Sequence, residues 1–281
     1  MLTTRRKIAL ARAAQRAVMF GRRACRKGPQ TSARRRGIAW NLDLREGIDF
    51  AIWLLGAFEP ATVAAYARLI RPGDVAFDVG ANVGAHTLHL ARAVGGTGRV
   101  HAFEPTEWAR AKLAANLELN PELRKRVTIV PAMLMAQSAA AAPPLYSSWP
   151  LAGAGEVHQL HGGRKIAASG AHVTTLDNYV ASAKIDRLDF LKLDVDGHER
   201  SVLHGGRETF ARFRPLVVLE VSPHQLAEEG DSVENLAASL ATMGYRLATL
   251  TGRVLPSDGA SLRTLIKPGA SLNALARPAA E

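Results

Sequence analysis

One cysteine, Cys25, stands in 281 residues, so the chain closes no internal disulfide. That suits a reducing compartment, and a cytoplasmic setting is expected. No stretch of about 18 uninterrupted apolar residues occurs, so no transmembrane helix is expected. The opening MLTTRRKIALARAAQRAVMF has basic charge but lacks a long apolar region and a small-residue cleavage site, which argues against a secretory signal. A P-loop is missing, because no G-x-x-x-x-G-K-[ST] occurs.

Acidic residues are missing from one segment. Residues 1 to 36 hold twelve Lys or Arg and no Asp or Glu, leaving 24 basic against 25 acidic residues elsewhere, so the net charge of +11 belongs to an extension. A globular nucleic-acid enzyme carries its basic patch on the folded body, and no nucleic-acid partner is expected. The extension is expected to be partly disordered or helical and separable from the fold. Its IALARAAQRAVMF can form a cationic helix suited to peripheral contact with an anionic membrane or an acidic partner.

What is present is a chain 47% hydrophobic, enough for a substantial core. Residues 37–72 mix a short strand with helical spacing, as an N-terminal cap. From residue 73 strands and helices alternate: VAFDV, a helix through about Ala93, RVHAFE, a helix from Thr106 to about Leu119, then RVTIVPA. This is the βαβ pattern of a parallel sheet. Residues 137–170 interrupt it with an Ala, Pro, Gly and Ser-rich insertion whose Tyr146 and Trp149 suggest a lid. Alternation then resumes: TLDNYVASAK and ERSVLHGGRETFARF are read as helices, LDFLKLDV and PLVVLEV as strands, and a further helix spans about Val233 to Met243. YRLATL and SLRTLIK are read as a closing antiparallel pair. The domain is bounded at 73–270, with 271–281 as a C-terminal tail.

The chemistry concentrates in FDVGANVGAHT, residues 77–87. Its G-x-N-x-G places Asn82 where a dinucleotide site needs its second glycine, which leaves no room for a pyrophosphate and disfavours an NAD-type dehydrogenase. A smaller cofactor without phosphate, such as S-adenosylmethionine, fits better. In that reading Asp78 meets its ammonium, Gly80 and Gly84 permit close backbone approach around Asn82, and Thr87 caps the helix or meets the carboxylate. Glu104, about twenty residues further on and followed by Pro105, is placed to accept the ribose hydroxyl protons.

A third motif, FLKLDVDGHE, ends a strand with Asp194 and follows it with Asp196, His198 and Glu199. An aliphatic hydroxyl needs a base to take its proton or a metal to lower its pKa, and this set offers both: His198 or a carboxylate as base, or Asp194 and Asp196 as oxygen ligands of a divalent metal. Glu220, Ser222 and His224 at another strand end are candidates to line the substrate cleft. His158 and His161 form an H-x-x-H without further ligands, too little for zinc.

Taken in order and spacing, FDVGANVGAHT, HAFEPT and FLKLDVDGHE resemble the FkbM family of S-adenosylmethionine-dependent methyltransferases, over roughly residues 40–225. LREGIDFAIWLLGAFEPAT and YSSWPL resemble a bacterial branch of it. The resemblance implies a class I methyltransferase (Rossmann-like) α/β fold: a doubly wound, mostly parallel seven-stranded sheet with an antiparallel C-terminal strand. It implies O-methylation of a hydroxyl, commonly on a sugar or polyketide, so the expected acceptor is a sugar, surface glycan or glycosylated metabolite. The family usually has glutamate where this chain has Asp196, and its residue at His198 varies. A non-catalytic partner-binding protein on the same scaffold is the rival that the polar set from Asp194 to Glu199 opposes.

Overall fold

The structure, a computed structural model, describes residues 4–139, 145–146, 165–166 and 171–279. Helix α1 (Thr4–Ala24) leads into a hairpin of β1 (Gln30–Arg35) and β2 (Ile38–Asp43). The hairpin turns on Arg36 and Gly37, both left-handed, at φ +47° and +78°. The boundary placed after residue 36 therefore falls inside this turn. The basic extension is also less separate than its charge suggests. Ala11, Ala14 and Val18 follow helical i, i+3, i+7 spacing and pack with Met19 against the core, and buried Gln15 donates from Nε2 to the Leu44 carbonyl at 3.3 Å. Charge dominated the sequence signal, while a stripe of small side chains decides the packing.

Two further helices, α2 (Gly47–Leu55) and α3 (Pro60–Leu69), bring the chain to β3 (Val75–Val79). Then follow α4 (Thr87–Ala93), β4 (Arg99–Phe103), α5 (Glu107–Glu118), α6 (Pro121–Arg124), β5 (Val127–Val130) and β6 (Ala132–Leu134). The short β7 (Leu145–Tyr146) and β8 (Lys165–Ile166) pair antiparallel, and β9 (His172–Thr174) pairs with β6. Otherwise the insertion from residue 140 to 170 lies outside the described residues, and with it Trp149, His158, His161 and the side chain of Tyr146. The second half comprises α7 (Leu176–Ser182), β10 (Phe190–Leu193), α8 (Glu199–His204), α9 (Arg207–Phe213), β11 (Leu216–Val221), α10 (Pro223–Glu228), α11 (Val233–Thr242), β12 (Tyr245–Thr249), α12 (Gly259–Thr264) and β13 (Leu272–Pro278).

Seven strands form one sheet in the order β12-β13-β11-β10-β3-β4-β5. All are parallel except β13, which runs antiparallel to both neighbours. The central strands VAFDV and FLKL carry no exposed face because helices cover both sides. On one side Phe77 and Val79 join a core completed by α7, α8, α9, α11 and α12; on the other Ala76 packs under α4 and the N-terminal elements.

Two expectations need correcting. SLRTLIK is not a strand: its first residues lie in α12, which Asp258 caps by accepting from the Ser261 N–H at 2.7 Å. The partner of β12 is β13, in the segment read as a tail. Its sequence LNALARP is poor in β-branched residues and gives a weak strand signal, and burial between β11 and β12 overrides that propensity. The helix read through ERSVLHGGRETFARF is two helices broken at Gly205 and Gly206, where the chain passes against the Met135 carbonyl.

Candidate active site

From β3 the chain runs outward through β4 and β5, then returns beside β3 to build the other half from β10. The turns leaving these neighbouring strand ends diverge, and a crevice opens between them. A cleft of about 810 Å³ lies there, within the range of small-molecule sites.

The turn after β3 has left-handed backbone at Gly80 (φ +85°), Asn82 (φ +48°) and Gly84 (φ +88°). Gly80, Ala81 and Asn82 line the cleft. Both glycines answer to close packing: a Cβ on Gly80 would run into the Asp194 carbonyl, and one on Gly84 into Leu113 and Leu88. Gly84 is not part of the cleft wall, and neither are Asp78 and Thr87. Strand alternation turns Asp78 to the face that α4 covers, where Thr87 Oγ1 donates to its Oδ2 at 2.6 Å and both are fully buried. The pair therefore joins strand to helix instead of reaching the cleft.

Glu104 does line the cleft, with Phe103 and Pro105 beside it. Its Oε1 accepts from the Thr106 N–H at 2.8 Å and the Thr106 hydroxyl at 2.6 Å, and its Oε2 accepts from the Asn82 N–H at 2.9 Å. Burial raises its pKa, and these hydrogen bonds oppose the rise. Oε2 keeps acceptor capacity for one further donor.

The second turn is built by side chains. Asp196 lies in the left-handed region at φ +50° with Gly197 after it at +98°, strained backbone of the kind concentrated at functional sites. Its side chain is exposed to the cleft, and Gln225 Nε2 donates to Oδ1. Desolvation by the cleft walls and then the Asp194 carboxylate push its pKa up to about 7, against the pull of Lys192 and with the open side of the cleft moderating the rise. His198 also lines the cleft, with Nδ1 3.6 Å from Glu229 Oε2; burial lowers its pKa despite that neighbour. Glu199 points away from the cleft. Its Oε1 accepts from the Val195 and Gly197 N–H groups at 3.1 and 3.4 Å, and burial pushes its pKa up to about 8. Glu199 shapes the turn that presents Asp196.

Lys192 and Glu59, to which the sequence reading gave no role, complete the wall together with the second strand end. Lys192, charged within a buried strand, donates to Asp194 Oδ2 at 2.9 Å and lies 4.0 Å from Asp78 Oδ1. Burial alone would lower its pKa, but Asp194 and Asp78 outweigh it and hold the ammonium charged. Glu59 arrives from the far N-terminal side, where Asn273 of β13 donates to its Oε2 at 2.6 Å and His86 Nε2 lies 3.6 Å away. The Tyr66 hydroxyl is 2.8 Å from His86 Nδ1, and burial holds that imidazole neutral. Glu220, Ser271 and His224 line the same space, as the strand-end reading of Glu220 and His224 anticipated; Ser222 is buried 3.1 Å from His224 Nδ1 and lies outside the lining. Lys192 had a visible signal in its break of an apolar run. Glu59 stands in the family-like segment LREGIDFAIWLLGAFEPAT, but nothing there marks its role, because only the fold brings it to Asn273, more than two hundred residues away.

With Asp194 engaged by Lys192 and Asp196 by Gln225, no group of three or more His, Cys, Asp or Glu among the described residues is arranged to hold a metal ion.

Among solved structures the chain is similar to the FkbM methyltransferase of Methylobacillus flagellatus KT, at 16% identity and a TM-score of 0.46 over 76% of this chain and 50% of that one. It is similar to a SAM-dependent O-methyltransferase of Thermotoga maritima, at 15% identity and 0.43 over 91% and 80% of the two chains. It is also similar to an rRNA methylase of Streptococcus thermophilus, at 11% and 0.43 over 78% and 95%. No curated protein matches the sequence. The family profile described as the methyltransferase FkbM domain matches residues 78–247, more than half of the chain and both turns that form the cleft. The chain therefore belongs to the FkbM family and is an S-adenosylmethionine-dependent methyltransferase built on the mostly parallel seven-stranded α/β sheet described above.

Proposed function

We propose that the enzyme methylates a hydroxyl of a sugar, surface glycan or glycosylated metabolite in the cytoplasm, and that Asp196 takes the hydroxyl proton. The observation that carries this reading is the Asp196 carboxylate, held in the cleft by a left-handed turn at the end of β10 with a pKa near the working pH. The cofactor fits the other half of the crevice. Glu104 has an acceptor position left for a ribose hydroxyl, and Phe103, Pro105, Met133 and Leu134 give an apolar slot beside it for an adenine ring. When bound, S-adenosylmethionine supplies a methyl carbon that an incoming oxygen displaces from sulfur.

The chain's own groups do the rest. Asp196 orients the hydroxyl and receives its proton, Gln225 fixes the carboxylate, and Glu199 holds the turn. Lys192 holds Asp194 in place beside the base, and the Asp194 carboxylate favours proton uptake by Asp196. Glu59, Glu220 and Ser271 offer acceptors for neighbouring acceptor hydroxyls. His198, whose pKa is lowered, stays neutral at pH 7 and donates to Glu229 or to the acceptor. This reading needs no metal, and Asp194 and Asp196 serve as paired carboxylates in it.

The test is release of S-adenosylhomocysteine on a panel of oligosaccharides and glycosylated metabolites. Asp196→Asn is expected to lower turnover by about a hundredfold or more with cofactor affinity nearly unchanged. Full turnover in that variant would remove Asp196 as the base. Product methylated at nitrogen or carbon would remove the hydroxyl acceptor.

A further inference from the structure

We propose that the face formed by α1 and the exposed end of α2 docks on an anionic lipid surface, and that the cleft opens onto that surface. Eight large hydrophobic side chains are exposed among the described residues, and four of them, Leu10, Leu54, Leu55 and Trp108, line the mouth of this one cleft. An exposed apolar cluster at the rim of a site marks an interaction surface. α1 packs against α2, so Leu10 and the pair Leu54 and Leu55 belong to one face.

The charge of α1 selects the partner. Its small residues turn inward, and Arg12, Arg16, Phe20 and Arg23, spaced by four, four and three, share the opposite, solvent-facing side. Phe20 is 78% exposed in the middle of this stripe. The first 36 residues contain no carboxylate to neutralise the stripe. Arginines flanking exposed aromatic and aliphatic side chains match the interface of an anionic bilayer, where headgroups meet the charge and the acyl boundary takes Phe20 and the leucines. No single described helix is long and apolar enough to cross a membrane, and the contact proposed is a peripheral one. The docking itself is independent of methyl transfer. Its consequence for the acceptor, a glycan displayed at the membrane, rests on the proposed function.

The experiment is co-sedimentation of the full chain with phosphatidylcholine vesicles and with vesicles containing phosphatidylglycerol, each at low and high salt. S-adenosylmethionine affinity is measured on the same samples to show that each variant is folded. The wild type is expected to bind only the anionic vesicles and to be released by high salt. Combined Arg12→Glu, Arg16→Glu and Arg23→Glu substitution is expected to weaken binding by about a hundredfold or more, since each arginine near the surface contributes about fivefold. Phe20→Ser is expected to weaken it by about tenfold. Absence of binding by wild type that still binds cofactor would overturn the proposal. So would equal binding by the triple variant. Capture of heparin or RNA as tightly as anionic vesicles, with Phe20→Ser without effect, would show a site for polyanions and overturn it equally.

Discussion

The two turns that bound the cleft do the same topological job by opposite means. Around the turn after β3, Asp78 faces inward on Thr87 and Glu104, reaching the cleft from the end of β4, is tied to the N–H groups of Asn82 and Thr106, so the turn itself shows a ligand mostly main chain. After β10 only Glu199 turns inward, and Asp194, Asp196 and His198 are presented to the cleft. A main-chain wall suits an invariant ligand such as the cofactor, because it offers fixed N–H groups with no charge to titrate. A wall of carboxylates suits proton transfer, because like charges in a confined space raise one another's pKa toward neutrality.

Lys192 and Gly80 couple the two turns, and changing either should give the largest effects. Lys192→Met would strand Asp78 and Asp194 without their shared cation, costing about 3–5 kcal/mol in denaturant unfolding. Full stability in that variant would mean that the turns are independent. Gly80→Ala would force a Cβ against the Asp194 carbonyl at a left-handed position, costing about 3 kcal/mol and cofactor affinity together.

Glu199 sharpens the second turn alone. Glu199→Ala should cost about 2–3 kcal/mol by leaving two N–H groups without an acceptor, whereas Glu199→Gln keeps the accepting oxygen and should cost less. The pH dependence has a definite sign. The folded pKa near 8 exceeds the ordinary 4.5, so between those values the folded state holds a proton that the unfolded state has lost, and stability falls as pH rises. Thermal melts should show a shallower fall from pH 5 to pH 8 in Glu199→Gln than in wild type. Glu104→Ala sharpens the first turn, with S-adenosylmethionine binding weaker by about 1–3 kcal/mol in calorimetry and little change in the pH profile of turnover.

Much of this contrast was legible in sequence. The two buried runs VAFDV and FLKLDV, each followed by a glycine-bearing turn, gave the switch point and both halves of the cleft. Inward and outward were not legible. Asp78 and Glu104 both end strands as carboxylates, and only the sheet's pleat and the covering helix send the first under the sheet and leave the second at the cleft. Glu199 looked like a member of an acidic set because spacing on a turn does not fix where a side chain points. Glu59 escaped notice because its partners are assembled by the fold. α1 was legible as a cationic helix, but its charge argued for a separable extension, and the loose stripe of Ala11, Ala14 and Val18 was too weak a signal to show that it packs on the core.

The antiparallel β13 sets the order in which the molecule can be completed during synthesis. It lies between β11 and β12, both of which leave the ribosome earlier, and it carries Asn273, which binds Glu59 on the far side of the sequence. Until residues 272–278 emerge, β11 has an open edge where β13 will pair, and Glu59 at the cleft lacks the Asn273 amide that holds it. A nascent chain stalled just short of this strand would expose a hydrogen-bonding edge to its neighbours, making the pairing of β13 a step at which synthesis and aggregation compete.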